Sequence, residues 1–291
     1  MADSHTRHRP SNAVPCRSMS HCTDRIPVDD YSADGFLRCI RLIPEDRASL
    51  FRDNLETFIL RHGENPQFGD WCYFKSNVIL PWVVDLATTP RVIDAVQRIL
   101  GPDILLWNSF LPIKPPGSRG HFAWHQDATY WHLTPVEEMV TIWLALNDVT
   151  PENGCMLFLP GSHRQGQIDH EMTKGTGSML RRGQRVLATV DDNAAVECTL
   201  RPGEASLHHP YTLHCSAPND SDRWRLGVAL NYASANVSPK PGYRESALYI
   251  AGEDRNVSFE RDPVPQEMLS EEALLALDHA ASLAAARYSD V

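Results

Sequence analysis

Apolar residues recur at helical intervals in three stretches of the chain. From Pro44 onward Leu50, Phe51, Leu55, Phe58 and Ile59 fall a few residues apart and so share one face of a helix. Pro90 to Leu100 repeats the pattern and stops at Gly101-Pro102, a pair that ends helices. Pro265 to Tyr288 is rich in Ala and Leu and reads as a terminal amphipathic helix. Past Gly101 the period changes, and runs rich in β-branched and aromatic residues alternate with turn signals. The strands this predicts are 104–112, 139–148, 155–160, 186–190, 195–200, 205–209, 212–216 and 224–233. Short strands at that spacing suit a jelly roll, in which two antiparallel sheets close around a mouth able to hold a ligand. The helices then serve as its buttress.

The same pattern divides the chain. Residues 1–27 carry Ser, His and Arg without periodic apolar positions, so burial cannot offset the entropy of ordering them and a disordered leader is expected. Residues 28–291 are expected to form one domain, mainly β with flanking helices. Its parts are a helical buttress over 43–101, a jelly-roll core over 102–235, and an extension with its helix over 236–291. A length of 291 residues fits one elaborated sandwich.

Charge narrows the function more than the fold. With 37 acidic against 27 basic side chains the formal charge is −10, which opposes binding to a polyphosphate strand, so no nucleic-acid partner is expected. No window approaches the roughly 20 apolar residues of a membrane-spanning helix, and no apolar stretch follows the first residues as a secretory signal requires. The expectation is a cytoplasmic chain with no membrane partner. Its 7 cysteines are scattered and never spaced C-x-x-C, so they read as ordinary thiols. A G-x-S-x-G elbow, an H-E-x-x-H zinc helix and a phosphate-binding glycine loop are all missing from the sequence, which argues against the corresponding hydrolases.

The segment richest in chemistry runs from His121 to Trp131. In an extended strand, residues two apart point to one face, so His125 and Asp127 can present an imidazole and a carboxylate to a common metal ion. Two histidines and one carboxylate leave positions open on Fe(II) for a chelating cosubstrate and dioxygen. The second histidine must come from a distant strand. The segment 203–219 offers His208, His209 and His214, of which His214 is the chosen ligand. Arg225 follows in an apolar strand, where a lone inward charge is costly without an anionic partner. A guanidinium makes two parallel bonds to a carboxylate. That carboxylate is either the far end of a dicarboxylic cosubstrate or an acidic side chain of the protein.

Together with their neighbours, these residues resemble the phytanoyl-CoA dioxygenase-like family of Fe(II)/2-oxoglutarate oxygenases. The resemblance covers roughly Asp34 to Ala235. It rests on Lys114-Pro-Pro, Trp124-His-Gln-Asp127, Thr141-Ile-Trp143-Leu-Ala-Leu, the run from Asn153 to His163, Gly203-Glu, His209-Pro, the run from His214 to Asn219, and Arg225. It implies a double-stranded β-helix, the cupin-like jelly roll, with Fe(II), 2-oxoglutarate and O2 as cofactor and cosubstrates. It also implies that a C–H bond of a small molecule is hydroxylated or otherwise oxidised with release of succinate and CO2.

Residue by residue, the resemblance implies His125, Asp127 and His214 as iron ligands, Arg225 as the clamp on the distal carboxylate of 2-oxoglutarate, and Ser216 as a second contact to it. Trp143 matches an aromatic beside the cosubstrate, or is a core tryptophan. Lys75 matches a cosubstrate-contacting lysine, or is a solvated surface lysine. Phe110 matches a residue lining the same site. Phe122, Tyr130, Trp131 and His132 flank the iron motif and either line the substrate mouth or pack the barrel. Halogenating relatives have a small residue where Asp127 stands, so its carboxylate favours hydroxylation over halogen transfer. The expected substrate is a small metabolite or a natural-product biosynthetic intermediate. The reading from another class is a cupin-like metal-binding protein or isomerase that does not use 2-oxoglutarate, in which Arg225 has a protein partner.

Overall fold

The computed structural model of the chain describes residues 26–129, 131–173, 177–180 and 183–289. The leader expected over 1–27 lies outside that set except for Ile26 and Pro27, and Ile26 is buried in the main core. Helices α1 (Val28–Asp34), α2 (Glu45–His62), α3 (Phe68–Tyr73), α4 (Ser76–Ile79), α5 (Pro81–Ala87), α6 (Pro90–Leu100) and α7 (Glu271–Ser289) supply the buttress. In α2 the stripe Ala48, Phe51, Leu55 and Phe58 is buried, while Leu50, expected on that face, stands one position off the stripe and is 56% exposed. The terminal helix starts later than expected because Ser270 caps it, its Oγ accepting from the N–H of Ala273 at 3.2 Å.

The strands that build the two main sheets are β1 (Phe36–Arg41), β2 (Ile104–Phe110), β3 (Phe122–His125), β4 (Met139–Ala145), β5 (Met156–Phe158), β6 (Val196–Cys198), β7 (Glu204–His208), β8 (His214–Ser216), β9 (Gly227–Ser234), β10 (Ser246–Ala251) and β11 (Glu260–Arg261). The larger sheet runs β1-β7-β4-β9-β2-β10-β11 and the smaller β3-β8-β5-β6. All pairings in them are antiparallel except β10 with β11. This is the expected jelly-roll sandwich with flanking helices, open rather than closed into a barrel. Residues 184–186 pair with 170–172 in a separate ribbon instead of extending a main sheet as expected of 186–190. The strands β1, β10 and β11 widen the sheet beyond the expected core of 102–235. The apolar alternation of β1 is illegible in sequence because its register shifts between Leu37 and Ile40.

Alternation along the central strands sorts side chains between two environments. Val140, Ile142 and Leu144 of β4 and Val228, Leu230 and Tyr232 of β9 pack with the helices in the main core. The Tyr232 hydroxyl donates to Ala87 O at 2.8 Å and ties the sheet to α5. The other face of the same strands, carrying Thr141, Trp143, Ala229 and Asn231, looks toward the smaller sheet. In β4 and β9 the polar Thr141 and Asn231 fall on this inner face. The candidate site lies there.

Candidate active site

Strand β8 pairs with β3 in a register that sets His214 opposite His125, with ring centroids 4.1 Å apart. Strand alternation is not what brings in Asp127: β3 ends at His125, and Asp127 comes from the turn after it. The Nδ1–H of His125 donates to Ala123 O at 2.8 Å and that of His214 to Thr212 O at 3.0 Å. Each Nε2 is therefore left with a lone pair. Asp127 Oδ1 lies 3.6 Å from His125 Nε2 and 3.5 Å from His214 Nε2. Three lone-pair atoms thus meet with no hydrogen between them, an arrangement that repels itself unless a cation fills it.

Burial by itself would raise the Asp127 carboxyl, but His214, His125 and His208 outweigh it and hold the group well below the usual carboxylate range. Burial, then the neighbouring His125, holds His214 well below the usual imidazole range, which keeps it neutral and ready to ligate. The other oxygen of Asp127, Oδ2, accepts from the Thr141 hydroxyl at 2.7 Å and from His208 Nε2 at 3.1 Å.

On the same inner face, Arg225 is 1% exposed. Its Nη1 donates to Gly154 O at 2.6 Å and Ser216 Oγ at 3.4 Å, and its Nη2 to Pro112 O at 3.1 Å. Among the described residues the Nε has no acceptor, and none of these bonds goes to a carboxylate. Arg225 precedes β9 rather than lying inside it, and is paired by backbone with Lys114. The Trp143 ring lies 5.2 Å from its guanidinium, and that ring leaves no room for a side chain at residue 227, where a Cβ would meet it at 2.5 Å. Lys114 is fully buried as well, its Nζ donating to Ser216 Oγ at 2.7 Å and Ala217 O at 2.5 Å. Burial, then Arg225, pushes the Lys114 ammonium down to about 5, and burial brings Arg225 down to about 10. The two buried basic side chains converge on one hydroxyl, and among the described residues neither is answered by an acidic side chain through a hydrogen bond.

A narrow cavity joins Arg225, Ser216 and Trp143 to the three-residue cluster, and a larger one of about 570 Å³ opens from the cluster outward. Phe110 and Phe122 line both cavities, and Trp131 lines the larger one beside Trp107. Tyr130 lies outside the described residues. His132 does not line either cavity: it takes a left-handed φ of 54° and stacks on Tyr243 at 4.2 Å between centroids.

The reading of Lys75 as a cosubstrate contact is corrected. Its ammonium is buried and donates to Trp107 O at 2.6 Å, Ser246 O at 2.8 Å and Asp262 Oδ2 at 2.7 Å, which uses every hydrogen it has. Replacing Asp262 with Ala would strand that buried charge. The expected loss is about 3–5 kcal/mol of stability, checked by denaturant unfolding, with metal binding by the folded protein retained.

Sequence reasoning missed Lys114, Thr141 and Asn231 and set His208 aside. Lys114 and Thr141 both stand in quoted motifs. The only other signal was a polar residue interrupting an apolar strand, at Thr141 in β4 and Asn231 in β9.

A family model described as "Phytanoyl-CoA dioxygenase (PhyH)" matches residues 33–227. The chain is 25% identical over 227 residues to the peroxisomal phytanoyl-CoA dioxygenase of Homo sapiens, an alignment covering 71% of this chain and 67% of that one. It is 31% identical over 188 residues to a probable alpha-ketoglutarate-dependent hypophosphite dioxygenase of Stutzerimonas stutzeri, covering 64% of this chain and 61% of the relative. Among solved structures, the apo form of the non-heme monooxygenase ThoJ superposes with a TM-score of 0.80 at 29% identity, over 89% of this chain and 96% of that one.

Proposed function

The chain belongs to the phytanoyl-CoA dioxygenase family of Fe(II)/2-oxoglutarate-dependent oxygenases, and from that premise we propose that it hydroxylates a C–H bond of a small metabolite or natural-product intermediate. The observation that carries the reading is the pairing of two sites along one cavity. Lone pairs of His125, Asp127 and His214 converge at one end, and the buried Arg225 lies at the other with no carboxylate partner among the described residues, beside Ser216, which Lys114 holds. The first fits a divalent metal and the second fits the distal carboxylate of a keto diacid.

When bound, iron and 2-oxoglutarate supply the oxidative chemistry: dioxygen gives one oxygen atom to succinate, formed with CO2 from the keto acid, and the other to the substrate C–H bond. The chain contributes position. Arg225 offers its unpartnered Nε–H to the distal carboxylate, and Ser216, accepting from Lys114, keeps its own hydroxyl hydrogen for the same anion. Trp143 and Phe110 form apolar walls beside it. The larger cavity has the size of a small-molecule site, and its aromatic walls keep water from the reacting C–H bond. Asp127 occupies the ligand position that a halide would need, which favours hydroxylation over halogen transfer.

Anaerobic titration of the Fe(II)-loaded protein with 2-oxoglutarate is expected to raise a visible charge-transfer band. A cupin-like isomerase would leave the band absent and succinate unformed. The low affinity of Lys114 for its proton adds a second expectation. An entering dicarboxylate favours the charged ammonium, so at neutral pH, above the value of about 5, binding should take up close to one proton. Calorimetry in buffers of different ionisation enthalpy measures that uptake, and it should vanish in Lys114→Met.

A further inference from the structure

Four polar side chains stand in one row across the inner face of the larger sheet. The register pairs His208 of β7 with Thr141 of β4, Thr141 with Asn231 of β9, and Asn231 with Asn108 of β2. Thr141 and Asn231 stand between apolar or aromatic neighbours in the central strands, where a polar side chain needs a partner. A bulge in β2 between Leu106 and Asn108 is what turns Asn108 onto this face. The row is not a set of separate pairs. Asn108 Oδ1 accepts from the backbone N–H of Lys75 at 2.9 Å, and Asn108 Nδ2 donates to Asn231 Oδ1 at 3.3 Å. Asn231 Nδ2 donates to Thr141 Oγ1 at 2.8 Å, and the Thr141 hydroxyl donates to Asp127 Oδ2 at 2.7 Å.

Every bond in that chain has one direction. The Lys75 N–H can only donate, which makes the Asn108 oxygen its acceptor and turns the Asn108 amide toward Asn231. The same logic fixes Asn231 and leaves the single hydrogen of Thr141 no role but to donate to Asp127. Lys75 is itself held, by its saturated ammonium and a left-handed φ of 46°. From the other end of the row His208 places its Nε2–H on the same oxygen at 3.1 Å. Oδ2 is thus occupied from two sides, while Oδ1 faces the two imidazoles.

We propose that the row Asn108–Asn231–Thr141, with His208, positions Asp127 as a one-oxygen ligand, withholding Oδ2 so that the metal keeps a site for keto acid and dioxygen. A second carboxylate oxygen on the metal would fill a position one of them requires. Asn108 and Asn231 also line the larger cavity, so the far end of the row is part of the wall against which a substrate lies. The inference rests on the metal-centre reading, and its test separates the two.

The test is an anaerobic titration with Co(II), following both affinity and the visible ligand-field spectrum, for the parent, Thr141→Val, Thr141→Ser and Asp127→Ala. Thr141→Val keeps the shape and removes the hydroxyl. It should weaken Co(II) binding about 10- to 100-fold, the range for losing an outer partner, and weaken the ligand-field absorption as the freed oxygen joins the metal. Thr141→Ser should restore both. Parent affinity and spectrum in Thr141→Val, or a loss that Thr141→Ser does not restore, would overturn the proposal while loss of binding in Asp127→Ala left the metal centre standing. Undiminished binding in Asp127→Ala would overturn the metal centre and this inference with it. If Thr141→Val does not fold, Asn231→Leu takes its place, since it removes the donor that orients the hydroxyl together with the acceptor for Asn108 and leaves the Thr141 hydroxyl itself in place; an unchanged spectrum there counts against the row.

Discussion

Replacing His214 with Ala is expected to abolish ferrous iron binding and turnover together. Its Nε2 is one of three lone-pair atoms that meet within 4.8 Å, and its Nδ1–H is committed to Thr212 O, so no rotation or tautomer change of a neighbour replaces it. His208 stands nearby, with a ring centroid 4.7 Å from that of His214, but its Nε2–H is engaged on Asp127 Oδ2. The affinity loss should exceed about 100-fold, above the range for losing an outer partner. From sequence alone His208 reads as a bystander whose truncation is mild. Its hydrogen bond to Asp127 revises that expectation to about 10-fold or more for His208→Ala. Anaerobic Fe(II) titration beside succinate production separates the two variants, and full activity in His214→Ala would refute the ligand assignment.

The contrast between these two histidines shows where sequence stops. The triad residues were legible because a facial two-histidine, one-carboxylate set requires particular residue types, and few placements in 203–219 satisfy it. What was illegible was register. The pairing of β8 with β3 sets His214 against His125, and the pairing of β7 with β4 sets His208 against Thr141. A one-residue slip would exchange inner for outer face, and nothing local in the sequence fixes which strands of the two sheets become neighbours.

Lys75 shows the opposite error. A lysine at about the right distance before the motif satisfied the resemblance, yet its ammonium is consumed by Asp262 and two carbonyls, while Lys114 is the lysine that reaches Ser216. Helices α2, α6 and α7 were legible from apolar spacing, whereas the short α1, α3, α4 and α5 span too few turns to show a period. The strand β1 was not, since its bulge breaks the period of two.

Truncating Arg225 to Ala should cripple the use of 2-oxoglutarate while leaving metal binding in place. The side chain is buried, its Nε has no acceptor among the described residues, and Gly154 O, Pro112 O and Trp143 hold the guanidinium at the wall of the narrow cavity. Losing one partner of a desolvated, hydrogen-bonded charge pair costs about 2–5 kcal/mol, which corresponds to a weakening of roughly 30-fold to several thousand-fold. Arg225→Lys should recover little, because an ammonium cannot reproduce the planar fork. The measurement is the dependence of succinate formation and of the anaerobic charge-transfer band on 2-oxoglutarate concentration, with Fe(II) affinity as the internal control. Were the arginine a structural element alone, the variant would lose stability and iron affinity while its remaining folded fraction kept the parent's requirement for 2-oxoglutarate. A raised requirement at unchanged iron affinity is what the position of Arg225, at the end of the cavity away from His125, Asp127 and His214, demands.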